Sequence, residues 1–285
     1  MKYFLSVLIV MLLSGPCFGQ DKGGILTAGD VVERMKANLT CSWADETVDT
    51  FKAGDPEDEV TGVACTFMAT VDVLKKAAKS GCNLVITHEP TYYNHFDNKD
   101  LLEGDPVYEA KQAIIDENNM MVFRFHDHWH RTSPDGIYVG MIERLQWDSY
   151  LVEGEKNIFD FPGYKLRDVS THMKQLFPDA VIRVIGDPGL EVKRAAFSAG
   201  APGSESHIRL LQQEEINLVV IGEAPEWESL SYVRDAFQAG LPKSMIILGH
   251  TVSEEAGMEY CAQWMNSFID EVPVQFIESG DPFHQ

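Results

Sequence analysis

NLVITHEP, residues 83–90, returns further along the chain as NLVVIGEAP, residues 217–225, and the fold turns on how that pair is read. Val85, Ile86 and Glu89 correspond to Val219, Val220 and Glu223 at a constant offset. Each copy is a short apolar run that follows a helical pattern, the signature of a buried strand entered from a helix. A second pair comes later in the same order: MMVFRFH ends at His126 and SMIILGH ends at His250. One such match arises easily by chance between buried strands; two in the same order predict an α/β protein of two related lobes.

Working outward, Val63 to Phe67 reads as a strand, and Val71, Leu74 and Ala78 fall at helical spacing before the strand at 84–87. Val107, Ala110 and Ile114 mark a helix ahead of the strand Met120 to Phe125. In the second half, strands are expected near 194–198, 218–221, 244–248 and 274–277, with helices around 204–215, 226–239 and 254–270. Residues 143–192, punctuated by Gly154, Pro162, Gly163, Pro178, Gly186, Pro188 and Gly189, read as an irregular connection. The division that follows is a leader at 1–19, a first lobe at 20–142, the connection at 143–192 and a second lobe at 193–285.

The leader rests on Lys2, an apolar run from Tyr3 to Leu13, and small or turn residues before Gly19, the layout of a secretory signal. The run is too short for a membrane span, which needs about 20 apolar residues. Export to the periplasm or beyond is therefore expected. A formal net charge of −21 makes nucleic acid a poor partner and suits a cation site. Cys41, Cys65, Cys82 and Cys261 lie beyond the leader with no zinc-knuckle spacing; two disulfides or buried free thiols are both compatible with them.

The stretch FRFHDHWHRTSPDG, 123–136, places His126, His128 and His130 at alternate positions with Asp127 between two of them. On a strand all three would share a face; on a helix only His126 and His130 would. Ligands bind at the carboxyl ends of strands in open α/β sheets. Three such ends present His88 with Glu89, His126 to His130, and His250 with Glu254, the last two one helical turn apart. Imidazoles and carboxylates together suit zinc, iron, manganese or nickel. Six ligands, His88, Glu89, His126, His130, His250 and Glu254, exceed the needs of one tetrahedral ion and fit two divalent metal ions, a pair that commonly serves hydrolysis. For His128 and Asp127, ligation, support of the ligands and substrate contact are all open. His95, His172, His207 and His284 read as surface or capping residues, and Trp129, Tyr92 and Tyr93 as packing.

THEPTYYNH, FRFHDHWH and GHTVSEEAG, in that order, resemble the Nif-three-like dinuclear metal-centre proteins, whose bacterial members are often labelled GTP cyclohydrolase I type 2 homologues. The stretch GDPEDEVTGVACTFMATVDVLKKAAKSGCNLVITHEP, the AAFSAGAPGS segment and the terminal ESGDPF extend the resemblance over nearly all of the chain beyond the leader. It implies two related lobes around two metal ions, a toroidal homohexamer, and metal-dependent hydrolysis of a small-molecule substrate. The same six residues would be the metal ligands. The chain departs from the family pattern in three places: the His-His doublet is His88-Glu89, His-x-x-x-Asp is His126-x-x-x-His130, and Asp-Ala-Thr is Met68-Ala69-Thr70. The first two exchange an imidazole for a carboxylate and a carboxylate for an imidazole. The reading that follows is an exported metal-dependent hydrolase of a small polar or phosphorylated substrate, with a non-catalytic metal-binding assembly as the alternative.

Overall fold

The structure is a computed structural model that describes residues 24–283; the expected leader and His284 lie outside the described residues. In chain order the strands are β1 (Phe51–Ala53), β2 (Val63–Thr66), β3 (Leu84–Thr87), β4 (Met121–Arg124), β5 (Ile158–Lys165), β6 (Arg183–Ile185), β7 (Glu191–Ser198), β8 (Leu218–Ile221), β9 (Ser244–Ile247) and β10 (Val274–Phe276). The helices are α1 (Ala28–Ala37), α2 (Val71–Lys79), α3 (Pro106–Glu117), α4 (Asp127–Arg131), α5 (Gly136–Leu145), α6 (Leu166–Leu176), α7 (Ser204–Gln212), α8 (Ser231–Gln238) and α9 (His250–Met265).

Two five-stranded sheets result, in the orders β1-β4-β3-β2-β10 and β5-β7-β8-β9-β6. In the first, β10, β2, β3 and β4 are parallel and β1 is antiparallel. In the second, β7, β8 and β9 are parallel between antiparallel edges. The central strands β2, β3, β4, β8 and β9 are buried at every residue. Strands covered on both faces read as continuous apolar runs, which is why these were visible in the sequence. Local signals set the helix starts: Thr70 caps α2 by accepting from the Val73 N–H, and Asp105 caps α3 just ahead of Pro106.

The expected division of the chain differs from sheet membership in two ways. β5 and β6 lie inside 143–192, so the supposed connection supplies both edges of the second sheet. Pro162 and Gly163 fall where the β5 register shifts between Asp160 and Tyr164, a bulge that reads in sequence as a loop. At the other end, β10 leaves the second lobe and lies parallel to β2, and Thr66 Oγ1 and Ser279 Oγ, 213 residues apart, are 3.0 Å from each other. The helix expected at 254–270 begins at His250, and the helix expected at 226–239 is α8 preceded by an irregular turn in which Glu228 is not helical.

α9 also belongs against the first lobe. An added Cβ at Gly140 of α5 would stand 2.2 Å from the Ala256 carbonyl oxygen, and one at Gly257 2.5 Å from Ile137 Cα, so α5 and α9 touch backbone to backbone. Trp129 Nε1 donates to the Gly257 carbonyl at 3.2 Å, pinning α4 to the same helix. One apolar core runs from Val63, Ile86 and Phe123 through Trp129 and Met258 to Phe197 and Val220, joining both sheets. All four cysteines among the described residues are free, and Cys65, Cys82 and Cys261 are buried.

Candidate metal centre

The carboxyl ends of β3 and β4 and the first turn of α9 meet in one place. His88 and Glu89 leave β3 with their N–H groups donating to the carbonyls of Thr66 and Phe67, at 3.2 and 2.9 Å. His126 follows β4 directly, and the histidine stretch is helical: His130 N–H donates to the His126 carbonyl at 3.1 Å, and the two rings lie 5.0 Å apart. What starts this short helix is distant in sequence. The buried Asp49 carboxylate accepts the N–H groups of His126, Asp127 and His128 at 2.7, 2.9 and 2.9 Å, acting as a cap supplied from another segment.

On the far side of α4, His128 is committed elsewhere. Its Nδ1 meets Asp49 Oδ2 at 2.6 Å, its Nε2 accepts the Ala44 N–H at 3.0 Å, and its ring stacks on Trp43 at 3.7 Å. With both nitrogens taken, His128 braces α4 and is no ligand. Asp127 accepts from Thr47 Oγ1 and the Val48 N–H, and its other oxygen lies 3.0 Å from His126 Nδ1. Burial opposes its charge, but those bonds from His126, Thr47 and Val48 prevail and hold its carboxyl at about 2.

The six expected residues converge, with the imidazoles oriented alike. The Nδ1 of His88 faces the Phe125 carbonyl at 3.1 Å, that of His126 faces Asp127, that of His130 faces Asp135 at 3.3 Å, and that of His250 faces Glu223 at 3.3 Å. All four Nε2 atoms point inward. Glu254 lies among three of them: Oε2 is 3.1 Å from His250 Nε2 and 3.5 Å from His88 Nε2, and Oε1 is 3.8 Å from His130 Nε2. Glu89 Oε1 is 3.5 Å from His250 Nε2 and 3.8 Å from His126 Nε2. Outer partners that fix ring orientation are the usual support of metal-binding histidines.

A metal fits this donor set. His88 Nε2 is buried and has no hydrogen-bond partner, a state that is costly unless something occupies it. His88 with His126 and His130, and His88 with Glu89 and Glu254, form groups whose ligand atoms lie within 4.8 Å of one another. Gly200, at φ +61°, completes the wall: a Cβ there would stand 2.2 Å from Glu254 Oε1 and 3.1 Å from His250 Nε2. His88 and Glu254 form a closed floor, with side chains 0 and 4% exposed, while His126, His130 and His250 at 25–26% line an open mouth.

The electrostatics are divided in the same way. Burial, together with the charges of His130, His126 and His250, pushes His88 well below the usual histidine range, so it is neutral and ready to ligate. Burial also opposes the charge on His250, but Glu254, Glu89 and Glu223 outweigh it and raise that ring to about 9. His130 is raised too, burial being outweighed by Asp135, Glu254 and Glu89. The carboxylates thus favour positive charge at the His130 and His250 side of the cluster, while the buried His88 is kept neutral.

Several contributors were not singled out from sequence: Asp49, Asp135, Glu223 and Arg124. Asp135 caps α5, accepting the Ile137 N–H at 3.0 Å, so its position ahead of a helix was a usable signal. Glu223 was visible in the repeat as the counterpart of Glu89. Of the histidines read as surface or capping residues, His95 is exposed and His172 Nε2 lies 2.9 Å from the Leu145 carbonyl oxygen. His207 differs: it is fully buried beside Ser229, its ring held at the neutral end by burial.

The Duf34/NIF3 (NGG1p interacting factor 3) family profile matches residues 26–282. The chain belongs to that family. A relative from Clostridium acetobutylicum named GTP cyclohydrolase 1 type 2 homolog is 22% identical over 212 residues, covering 70% of this chain and 75% of that one. Among solved structures, a hypothetical protein of Staphylococcus aureus superposes with a TM-score of 0.71 at 17% identity, over 92% of this chain and all of that one. A Bacillus cereus protein related to NIF3 gives 0.68 at 13% identity, over 92% and 98%. At these identities the likeness shows the fold, and this NIF3-family chain shares its two-lobed α/β architecture with them. No helix among the described residues is long and apolar enough to cross a membrane.

Proposed function

We propose that the protein is an exported, homohexameric dinuclear metalloprotein that hydrolyses a small polar or phosphorylated substrate. His88, Glu89, His126, His130, His250 and Glu254 would hold two divalent ions, with zinc, iron, manganese and nickel as candidates. The observation that carries the reading is the common orientation of four imidazoles, each restrained through Nδ1 with Nε2 turned toward two carboxylates, around the unpartnered His88 Nε2. Bound divalent ions supply Lewis acidity toward a carbonyl or phosphoryl oxygen and make water a better nucleophile. The chain's own part is to orient those donors: Glu254 reaches both sides of the cluster, and the outer carboxylates of Asp127, Asp135 and Glu223 fix three of the rings.

His126, His130 and His250 are each about a quarter exposed, which gives water and a small substrate a route to the donors. Elemental analysis of the purified protein tests the reading: about two transition metals per chain are expected, with hydrolysis of model phosphoesters that chelator abolishes. No metal after purification without chelator, and none on reconstitution, sinks it. Metals without any turnover favour the non-catalytic assembly. Light scattering checks the hexamer, and a monomer at micromolar concentration removes it from the proposal.

A further inference from the structure

Arg124, the last residue of β4, is fully buried among polar groups that account for only part of it. Its Nε donates to the His88 carbonyl at 3.2 Å and its Nη1 donates to the His95 carbonyl. Its Nη2 has no hydrogen-bond partner and lies 3.7 Å from Glu89 Oε2. The other oxygen of that carboxylate, Oε1, is the one that faces His250 and His126. Behind Arg124, Asp97 Oδ2 is 3.7 Å from Nη1 and 3.4 Å from Lys52 Nζ. Charges therefore alternate inward from Lys52 through Asp97 and Arg124 to Glu89. A buried guanidinium is tolerated when its fork meets anions and carbonyls, and its planar geometry gives direction as well as charge.

We propose that Arg124 is the positioning residue for Glu89, its charge drawing one carboxylate oxygen to its side so that the other is presented to the metal centre. This rests on the dinuclear reading above. The arrangement ties two positions together: an imidazole at residue 89, the family's usual occupant, would face a buried cation and leave it without an anion on that side.

Calorimetric titration of the metal-free protein with zinc, with thermal melting in parallel, tests this on wild type, Arg124→Met, Glu89→His and the double variant. Arg124→Met is expected to weaken zinc binding by about ten-fold or more, the loss typical when an outer partner is removed. Glu89→His alone should bind poorly, and the double variant should bind about ten-fold tighter than Glu89→His alone, a rescue that a merely structural arginine would not produce. If Arg124→Met fails to fold and Glu89→His restores folding, the coupling is equally demonstrated. Zinc binding in Arg124→Met equal to or tighter than wild type overturns the proposal, as does a double variant no better than Glu89→His or one that stays unfolded. A wild type that takes up no zinc removes the dinuclear reading as well, whereas the other failures leave that reading standing.

Discussion

β3 of the first sheet is followed by His88 and Glu89, while β8 of the second is followed by Gly222 and Glu223, at matching places in the repeat. The first pair forms part of the centre; of the second, only the glutamate approaches it, and from outside. A Cβ on Gly222 would stand 2.4 Å from the Gly200 carbonyl oxygen and 2.5 Å from Ser253 Oγ, so no ligand could be carried there. The two glutamates differ for another reason. Glu89 is 16% exposed and faces inward beside Arg124, whereas Glu223 is 56% exposed and meets only the outer nitrogen of His250. In the MMVFRFH and SMIILGH pair the counterpart of Arg124 is Leu248, which is buried and uncharged. Duplicated strands supply the same carboxylate twice, and in the first lobe alone a buried guanidinium stands beside it.

The most damaging way to break this contrast is to give the second lobe a side chain at Gly222. Gly222→Ala should cost about 3 kcal/mol of stability by overpacking against the Gly200 backbone, read as a lowered denaturant midpoint. An unchanged midpoint would mean that the two strand ends are less distinct than their geometry. The contrast is sharpened by removing each glutamate in turn. On the proposed reading, in which Glu89 is a ligand and Glu223 an outer partner, Glu89→Ala should lower metal affinity by more than about 100-fold and Glu223→Ala by only about ten-fold. Equal losses in the two titrations would erase the distinction.

The smallest expected effect is in pH. In the metal-free protein His250 is raised to about 9, above its unfolded value of about 6.5. A raised folded value stabilises below about 6.5 and that contribution is lost as pH rises through about 9. Bound metal requires the neutral ring, so the loaded protein should show the opposite trend, losing metal as pH falls. Melting curves of both forms across pH 6 to 9 check this, and parallel trends would argue against His250 as the shared site of proton and metal.

Much of this was legible in the sequence, because it is written in short-range pattern. β2, β3, β4, β8 and β9 are short, predominantly apolar runs, and the six candidate ligands sit just past strand ends or one helical turn apart. What escaped is held by contacts between distant segments. Asp49 meets the histidine helix from about 77 residues away, and nothing near Asp49 announces a cap. β6 is mostly exposed, and the alternation of β5 lasts only from Phe159 to Pro162 before the proline and glycine of its bulge interrupt it. Nothing in the sequence around Arg124 marks it as enclosed; only the fold shows that it is.

The return of β10 to the first sheet has a consequence for how the molecule is made. The ribosome releases β1 to β4 early, yet the edge beside β2 stays open until Val274–Phe276 emerge, and His250 and Glu254 arrive only shortly before. The nascent chain therefore carries four of the six candidate ligands and an unpaired strand edge until its last helix and strand emerge. A product truncated ahead of α9 would keep His88, Glu89, His126 and His130, yet it would be an aggregation hazard with no carboxylate to span the cluster.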